Sequence, residues 1–120
     1  MTPPLTTVTP PDNTLNFENF GLSTSLLEAM KDMGFSTPTP IQQQALPLLL
    51  TGANDFIGLA STGTGKTAAF GIPLVEAIST TTKDTQALVL SPTRELALQV
   101  AEQLTLLGKK KGLRVVTIYG

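Results

Sequence analysis

The 120-residue sequence contains neither cysteine nor histidine. Without cysteine there is no disulfide and no thiol chemistry, which fits a reducing compartment. With both residues missing, zinc sites and imidazole acid–base catalysis are excluded. Charged residues are also scarce, at 14%, and the formal net charge is −1. That balance gives no whole-surface attraction to polyanions, so any nucleic-acid contact has to be local. No apolar run approaches the ~20 residues that a membrane-spanning helix needs. The N-terminus lacks the cationic stretch and apolar core of a secretory signal. The expected compartment is the cytoplasm, with no membrane contact. What the chain does have is apolar side chain, 41% of residues, enough to form the core of one domain or part of one.

The pattern along the chain is regular after a Thr/Pro-rich leader, residues 1–16, which reads as disordered. Ser23 or Thr24 caps a first helix with Leu26, Leu27, Met30 and Met33 on one face and Gly34 at its end. Thr39-Pro40 is a cap followed by Pro at the first helical position. The second helix runs to about Leu50, with Pro47 inside it as an expected kink and Gly52 closing it. Asp55 to Ala60 reads as an apolar strand. The next helix, about Gly65 to Ile78, is apolar on nearly every side and is expected to be buried. A polar loop leads to a strand, Gln86 to Leu90, and then to a helix with Leu96, Val100, Leu104 and Leu107 on one face. A last strand runs from Leu113 to Tyr119. Strands that are near-continuous apolar runs and alternate with helices predict an α/β fold, a parallel sheet with helices on both faces. Three such strands are too few to flank one another, so the chain reads as the first part of a larger α/β domain.

Ala60-Ser61-Thr62-Gly63-Thr64-Gly65-Lys66-Thr67 carries the clearest chemistry. Gly63 and Gly65 allow the backbone conformations that gather several N–H groups around one anion. Lys66 is placed to reach β- and γ-phosphates as a point charge, and the Thr67 hydroxyl to ligate Mg²⁺. The loop enters a helix, whose N-terminal partial charge adds to the attraction. The bland alternative is a Gly/Thr turn that binds nothing, and the Gly-Lys-Thr placed between strand and helix argues against it. Ala60 stands where the general phosphate-loop pattern has Gly. The sequence therefore points to a nucleoside triphosphate.

A phosphate loop does not choose a base, but Gly34-Phe35-Ser36-Thr37-Pro38-Thr39-Pro40-Ile41-Gln42 offers groups that could. A Gln amide presents a donor and an acceptor together, matching adenine N6–H and N7 but not the two acceptors of guanine. Phe35 provides a flat stacking face. Taken alone, the segment is equally a Pro-rich connector with a buried Phe.

These motifs together resemble the DEAD-box RNA helicases. Gly34–Gln42 is similar to their Q motif, and Ala60–Thr67 to their motif I, A-x-T-G-x-G-K-T, in which Ala is the expected first residue. Ser91-Pro92-Thr93-Arg94-Glu95-Leu96-Ala97 resembles motif Ia. Phe17 matches the isolated aromatic upstream of the Q motif, and Tyr119-Gly120 looks like the start of the Gly-Gly element. The resemblance implies a P-loop NTPase with a RecA-like sheet, of which this chain carries part. It also implies ATP and Mg²⁺ as cofactors and an activity in which ATP hydrolysis drives RNA unwinding. Carried over by position, Gln42 hydrogen-bonds adenine, Phe35 stacks on it and Phe17 helps form the pocket. Residues from Ser61 through Thr62, Gly63, Thr64, Gly65 and Lys66 to Thr67 wrap the phosphates. A plain alternative for Phe17 is an apolar anchor that pins the leader to the core.

The same resemblance makes Pro92, Thr93, Arg94 and Gly120 contacts to the sugar–phosphate backbone of RNA, with little sequence information in them. A helix N-terminus binds phosphate without much net charge, which reconciles an RNA partner with the composition. Without the resemblance, Arg94-Glu95 reads as a solvated charge pair. Lys109-Lys110-Lys111 reads more simply as a cationic helix end than as an RNA patch.

Two other readings compete: a different P-loop ATPase such as a DNA translocase, and a non-catalytic nucleotide- or RNA-binding module. Phosphoryl transfer to water also needs a second acidic Mg²⁺ ligand and cationic stabilisation of the transition state. In the family these come from later motifs, the Asp-Glu-Ala-Asp strand and a second RecA-like domain. Residues 1–120 alone are accordingly expected neither to hydrolyse ATP at a useful rate nor to unwind RNA. RNA-dependent turnover by this span, abolished by Lys66→Ala, would contradict that expectation.

Overall fold

The computed structural model describes residues 16–52, 55–58 and 65–119. The Thr/Pro-rich leader lies almost wholly outside these residues, as do Ser61 to Thr64 of the phosphate loop and Gly120. A 3₁₀ turn at Phe17–Phe20 is followed by α1 (Thr24–Asp32), α2 (Pro40–Leu49), α3 (Lys66–Ala77) and α4 (Arg94–Gly108). Each helix begins and ends within a few residues of the position its capping signals indicate.

The ends of the helices are set by local chemistry. Ser23 and Thr39, both in extended conformation, precede α1 and α2, and Pro40 opens α2 where its missing N–H costs nothing. After α1 the chain makes a Schellman turn. Gly34 takes φ +86°, its N–H donates to Lys31 O at 3.0 Å, and Phe35 N–H donates to Met30 O at 3.0 Å. That turn delivers Phe35 to the core beside Met30. The same device recurs after α4, where Gly112 at φ +85° lets Leu113 N–H return to Gly108 O at 3.1 Å.

The core is built around α3, the helix that is apolar on nearly every side. Ala68, Ala69, Gly71, Ile72, Pro73 and Val75 are all buried there, among neighbours from α1, α2 and α4. Leu26 and Met30 of α1, Leu46 of α2 and Leu107 of α4 close over it, and Phe17 and Leu22 join from the N-terminal side. Leu27 and Met33 are half-buried at the edge of this cluster. Along α4, Val100, Leu104 and Leu107 are buried, whereas Leu96 in the first turn stays exposed. Gly71 allows α4 to pack tightly on α3: a Cβ there would lie 3.0 Å from Leu104 Cδ2 and 3.2 Å from Leu107 Cδ1.

Polar contacts tie the same helices together at their ends. Ser23 donates from both its backbone N–H (3.3 Å) and its hydroxyl to Glu76 Oε1, joining the start of α1 to the end of α3. Lys111 donates from Nζ to Val75 O at 2.6 Å and Glu76 O at 3.1 Å. It thereby caps the C-terminal carbonyls of α3 with a cation, where the helix dipole favours one. Lys110 pairs with Asp32 at 3.3 Å and with Glu28 at 4.0 Å. Two of the three lysines in the run therefore hold the helices together.

Among the described residues there is no paired strand, so the parallel sheet is not shown. The stretches 55–58, 86–90 and 113–119 have no regular secondary structure. Several of their apolar side chains are open to solvent, with Ile57 91% and Ile118 90% exposed and Leu88, Leu90 and Val116 close behind. The physical reason is that a strand is not a local structure. Its N–H and C=O groups need a neighbour at about 4.8 Å, and its side chains need a covering layer. Helices satisfy their own backbones and pack here without that neighbour. Gln86 instead closes the polar loop, accepting from Ser79 N–H at 2.9 Å and donating to Ser79 O at 2.7 Å.

The fold gives a contrast between adjacent residues of α4. Leu107 is fully buried and Leu106 is 41% exposed. Leu107→Ala is expected to lower the stability of the domain by about 2–5 kcal/mol, and Leu106→Ala by under about 1 kcal/mol, as read from denaturant midpoints.

Candidate functional site

Thr39 and Gln42 form a reciprocal capping box at the start of α2. Gln42 N–H donates to Thr39 Oγ1 at 3.4 Å, and Thr39 N–H donates to Gln42 Oε1 at 3.0 Å. The other end of the amide, Nε2, donates to the carbonyl oxygen of Gly65 at 3.2 Å. That carbonyl also accepts the first helical hydrogen bond of α3, from Ala69 N–H at 3.1 Å. Gln42 is 1% exposed. One buried amide therefore spans from the cap of α2 to the residue on which α3 starts.

Gly65 is the N-cap of α3, in the left-handed region at φ +82°, ψ +28°. A Cβ at this position would collide with Gln42 Nε2 and lie 3.3 Å from Thr39 Cγ2. Glycine is required here twice over, by the backbone angle and by the close approach of Gln42. Having no side chain, Gly65 offers no cap of its own. By helix geometry the N–H groups of the first turn have no carbonyl four residues before them. Lys66 is exposed and Thr67 half-exposed in that first turn. The residues present thus fit a triphosphate: donors with no acceptor within their own helix, the positive end of that helix, one cationic side chain and one hydroxyl on the same turn.

Phe17 and Phe35 are brought together, with ring centroids 6.0 Å apart and planes inclined at 58°. Phe17 is 5% exposed and lies inside the core cluster, with Phe35 half-buried against it. The geometry around Phe17 is that of an anchor for the residues preceding α1.

Pro92, Thr93 and Arg94 are all exposed at the start of α4. Thr93 is its N-cap, and its Oγ1 accepts from Leu96 N–H at 3.1 Å. Arg94 lies over the Tyr119 ring, with Cζ 4.6 Å from the centroid, so the segment preceding Gly120 sits beside the start of α4. Sequence reasoning missed this partnership, and it missed the bond from Gln42 to Gly65. A capping-box pattern, Thr-x-x-Gln, was visible for the Gln42–Thr39 pair. Nothing in the spacing pointed to either long-range contact.

With this geometry in view, comparison with known proteins is informative. Residues 39–120 match the DEAD/DEAH box helicase family. The chain belongs to that family. Among curated relatives it is 52% identical over 106 residues to the ATP-dependent RNA helicase CshA of Limosilactobacillus reuteri, covering 88% of this chain and 21% of that protein. It is 55% identical over 107 residues to the DEAD-box ATP-dependent RNA helicase CshA of Bacillus licheniformis, covering 89% and 22%. The chain thus spans about a fifth of the length of these relatives. Among solved structures it is similar to a DEAD box protein from Methanococcus jannaschii, with a TM-score of 0.74 and 42% identity, covering 78% of this chain and 25% of that one. It is also similar to Saccharomyces cerevisiae Dbp5 bound to RNA and ADP BeF3, with a TM-score of 0.76 and 38% identity, covering 79% and 25%. Among its described residues, no helix of this family member is long and apolar enough to cross a membrane.

The conformation of Gly65 yields a direct prediction. Gly65→Ala is expected to cost about 1–2 kcal/mol from the left-handed backbone alone and to displace Gln42 as well. Denaturant unfolding together with titration of a fluorescent ATP analogue should show both lower stability and weaker nucleotide binding. An alanine variant equal to wild type in both would contradict the geometry.

Proposed function

We propose that this chain is the adenine- and phosphate-binding part of an ATP-dependent RNA helicase and supplies some of its first contacts to the RNA backbone. The observation that carries this reading is the bond from Gln42 to Gly65 O, which joins the base-reading segment to the start of the phosphate-binding helix. An amide has two donor hydrogens and two acceptor lone-pair positions. The fold uses one lone pair, for Thr39 N–H, and one hydrogen, for Gly65 O. One donor and one acceptor remain, the pair that adenine N7 and N6–H require and that guanine cannot satisfy. Because both contacts fix which atom is oxygen and which nitrogen, the amide has one orientation toward a base. With Gln42 at 1% exposure, the base reaches that edge only as the surrounding segment opens.

Ser61, Thr62, Gly63, Thr64 and Gly65 wrap the phosphates in this reading. Lys66 would neutralise charge on the β- and γ-phosphates, and the Thr67 hydroxyl would ligate Mg²⁺. The bound metal supplies charge neutralisation during transfer to water. Lys66 and Thr67 contribute to catalysis by stabilising the transferring phosphoryl group and positioning it. Phe35 offers a partly open ring to the base, with Phe17 bracing it from the core.

Pro92, Thr93, Arg94 and Gly120 contact sugar and phosphate, which positions the strand without reading its sequence. The apolar stretches 55–58, 86–90 and 113–119 are strands of a RecA-like parallel sheet in the assembled domain. Their exposed Ile57, Leu88, Leu90, Val116 and Ile118 are the side chains that such a sheet would cover. The cytoplasm is the compartment proposed.

The test uses the full-length protein and measures ATP hydrolysis with and without single-stranded RNA. Stimulation by RNA and not DNA, lost by at least about tenfold in both Lys66→Ala and Gln42→Ala, is the expected result. Turnover indifferent to RNA, or stimulated only by DNA, would favour the translocase reading and overturn this one.

A further inference from the structure

By its own sequence α3 does little to fix its C-terminal end. Pro73 lacks the N–H that Ala69 O would accept within the helix. The last turn has no basic residue, and Ile78 after it is extended, so no glycine turn closes the helix. The missing cation comes from Lys111, 35 residues beyond Glu76. Its Nζ donates to Val75 O at 2.6 Å and to Glu76 O at 3.1 Å, and the residue is half-buried. The backbone of Lys111 is held as firmly to α4. The N–H groups of Lys111, Gly112 and Leu113 all return to Gly108 O, at 3.2, 2.9 and 3.1 Å. One residue thus has its backbone on the end of α4 and its ammonium on the end of α3.

The direction of the two helices gives this strut its leverage. Gly71 faces Leu104 and Leu107, and further along both helices Val75 and Glu76 meet Lys111. α3 and α4 therefore run the same way, with their N-termini at one end and their tied C-termini at the other. Apolar packing between them is non-directional and tolerates the small sliding by which packed helices shift. Two hydrogen bonds from one ammonium are directional and set the register. We propose that Lys111 is a positioning residue that couples the nucleotide site at the start of α3 to the RNA site at the start of α4. The inference rests on the reading of those two helix starts and adds the residue that makes them move together. A triphosphate engages α3 at its first turn. With Lys111 in place a displacement of α3 carries α4 with it, and the position of Thr93 at the N-cap changes accordingly. Without Lys111, α3 slides along the apolar seam and α4 stays behind. Lys110 pairs with Asp32 of α1 at 3.3 Å and so lies outside this link.

The experiment uses the full-length protein, a fluorescein-labelled oligouridylate and a non-hydrolysable ATP analogue. RNA affinity is measured with and without the analogue, and analogue affinity with and without RNA. Coupling is reciprocal, so the two enhancement factors must agree. In Lys111→Met, which keeps the apolar stem and loses the ammonium, each ligand alone should bind close to wild type. The mutual enhancement should fall by about three- to tenfold. Lys111→Arg, which keeps a donor cation, should retain the enhancement, and Lys110→Met should leave it unchanged. Denaturant midpoints of every variant ensure that folded proteins are compared. Lys66→Ala, measured alongside, should lose affinity for the analogue.

Analogue binding undiminished in Lys66→Ala would overturn the nucleotide-site reading and the inference with it. With that loss present, an unchanged enhancement in Lys111→Met would overturn the coupling role alone and leave Lys111 a helix cap. So would weaker binding of each ligand with the enhancement kept, the mark of a general loosening. An equal fall in Lys110→Met would overturn the role by making the effect one of charge in the lysine run. Loss of the enhancement in Lys111→Arg would also overturn it, as would a wild type in which neither ligand strengthens the other.

Discussion

The arrangement depends on the side-chain amide of Gln42. A buried polar group is tolerated only when its hydrogen bonds are made, and an unsatisfied one costs about 1–3 kcal/mol. Gln42 meets that condition by joining the starts of two packed helices: α2 through Thr39, and α3 through Gly65. The second bond is possible because Gly65 has no side chain and sits at a positive φ. Each of the three residues thus restricts the other two. In the proposed function the consequence is mechanical: a ligand that engages the amide would act on Gly65, from which α3 departs.

Around this link the helices are fastened by their ends. Glu76 receives both donors of Ser23, Lys111 closes the last carbonyls of α3, and two glycine turns send Phe35 and Leu113 back onto the core. Such contacts satisfy groups that every helix terminus leaves unpaired, and they do so between helices and not within them. The helix N-termini of α3 and α4 thereby keep fixed directions. In the proposed function these are two points at which backbone N–H groups meet anions, a triphosphate at one and a nucleic-acid backbone at the other.

How much of this could be read from the sequence depends on the range of the interaction. The helix boundaries were legible because caps, Pro40 and the terminal glycines act within four or five residues. The burial of α3 was legible because Ala68, Ile72 and Val75 leave it no polar face. The strands at 55–60, 86–90 and 113–119 were inferred from apolar runs, yet a strand exists only with a neighbour, and none is paired among the described residues. The site divides in the same way. The residue types at Gly65, Lys66 and Thr67 announced a phosphate loop by local pattern. The bond from Gln42 to Gly65 crosses 23 residues, and the stack of Arg94 on Tyr119 crosses 25. No periodicity encodes either. For Phe17 two roles stood open, a part in the base pocket implied by the resemblance and an apolar anchor, and its burial beside Phe35 is compatible with both.

The account stands most directly on the dual use of Gln42, and Gln42→Glu isolates it. A carboxylate keeps the acceptor for Thr39 N–H, so the capping box survives, but it has no hydrogen to give to Gly65 O or to adenine N7. Competition titrations of ATP and GTP against a fluorescent nucleotide would compare this variant with wild type. The account predicts ATP affinity lower by about tenfold or more, with the preference for ATP over GTP largely lost. Unchanged affinity and an unchanged preference would show that the amide neither reads the base nor steadies the phosphate loop, and would contradict it.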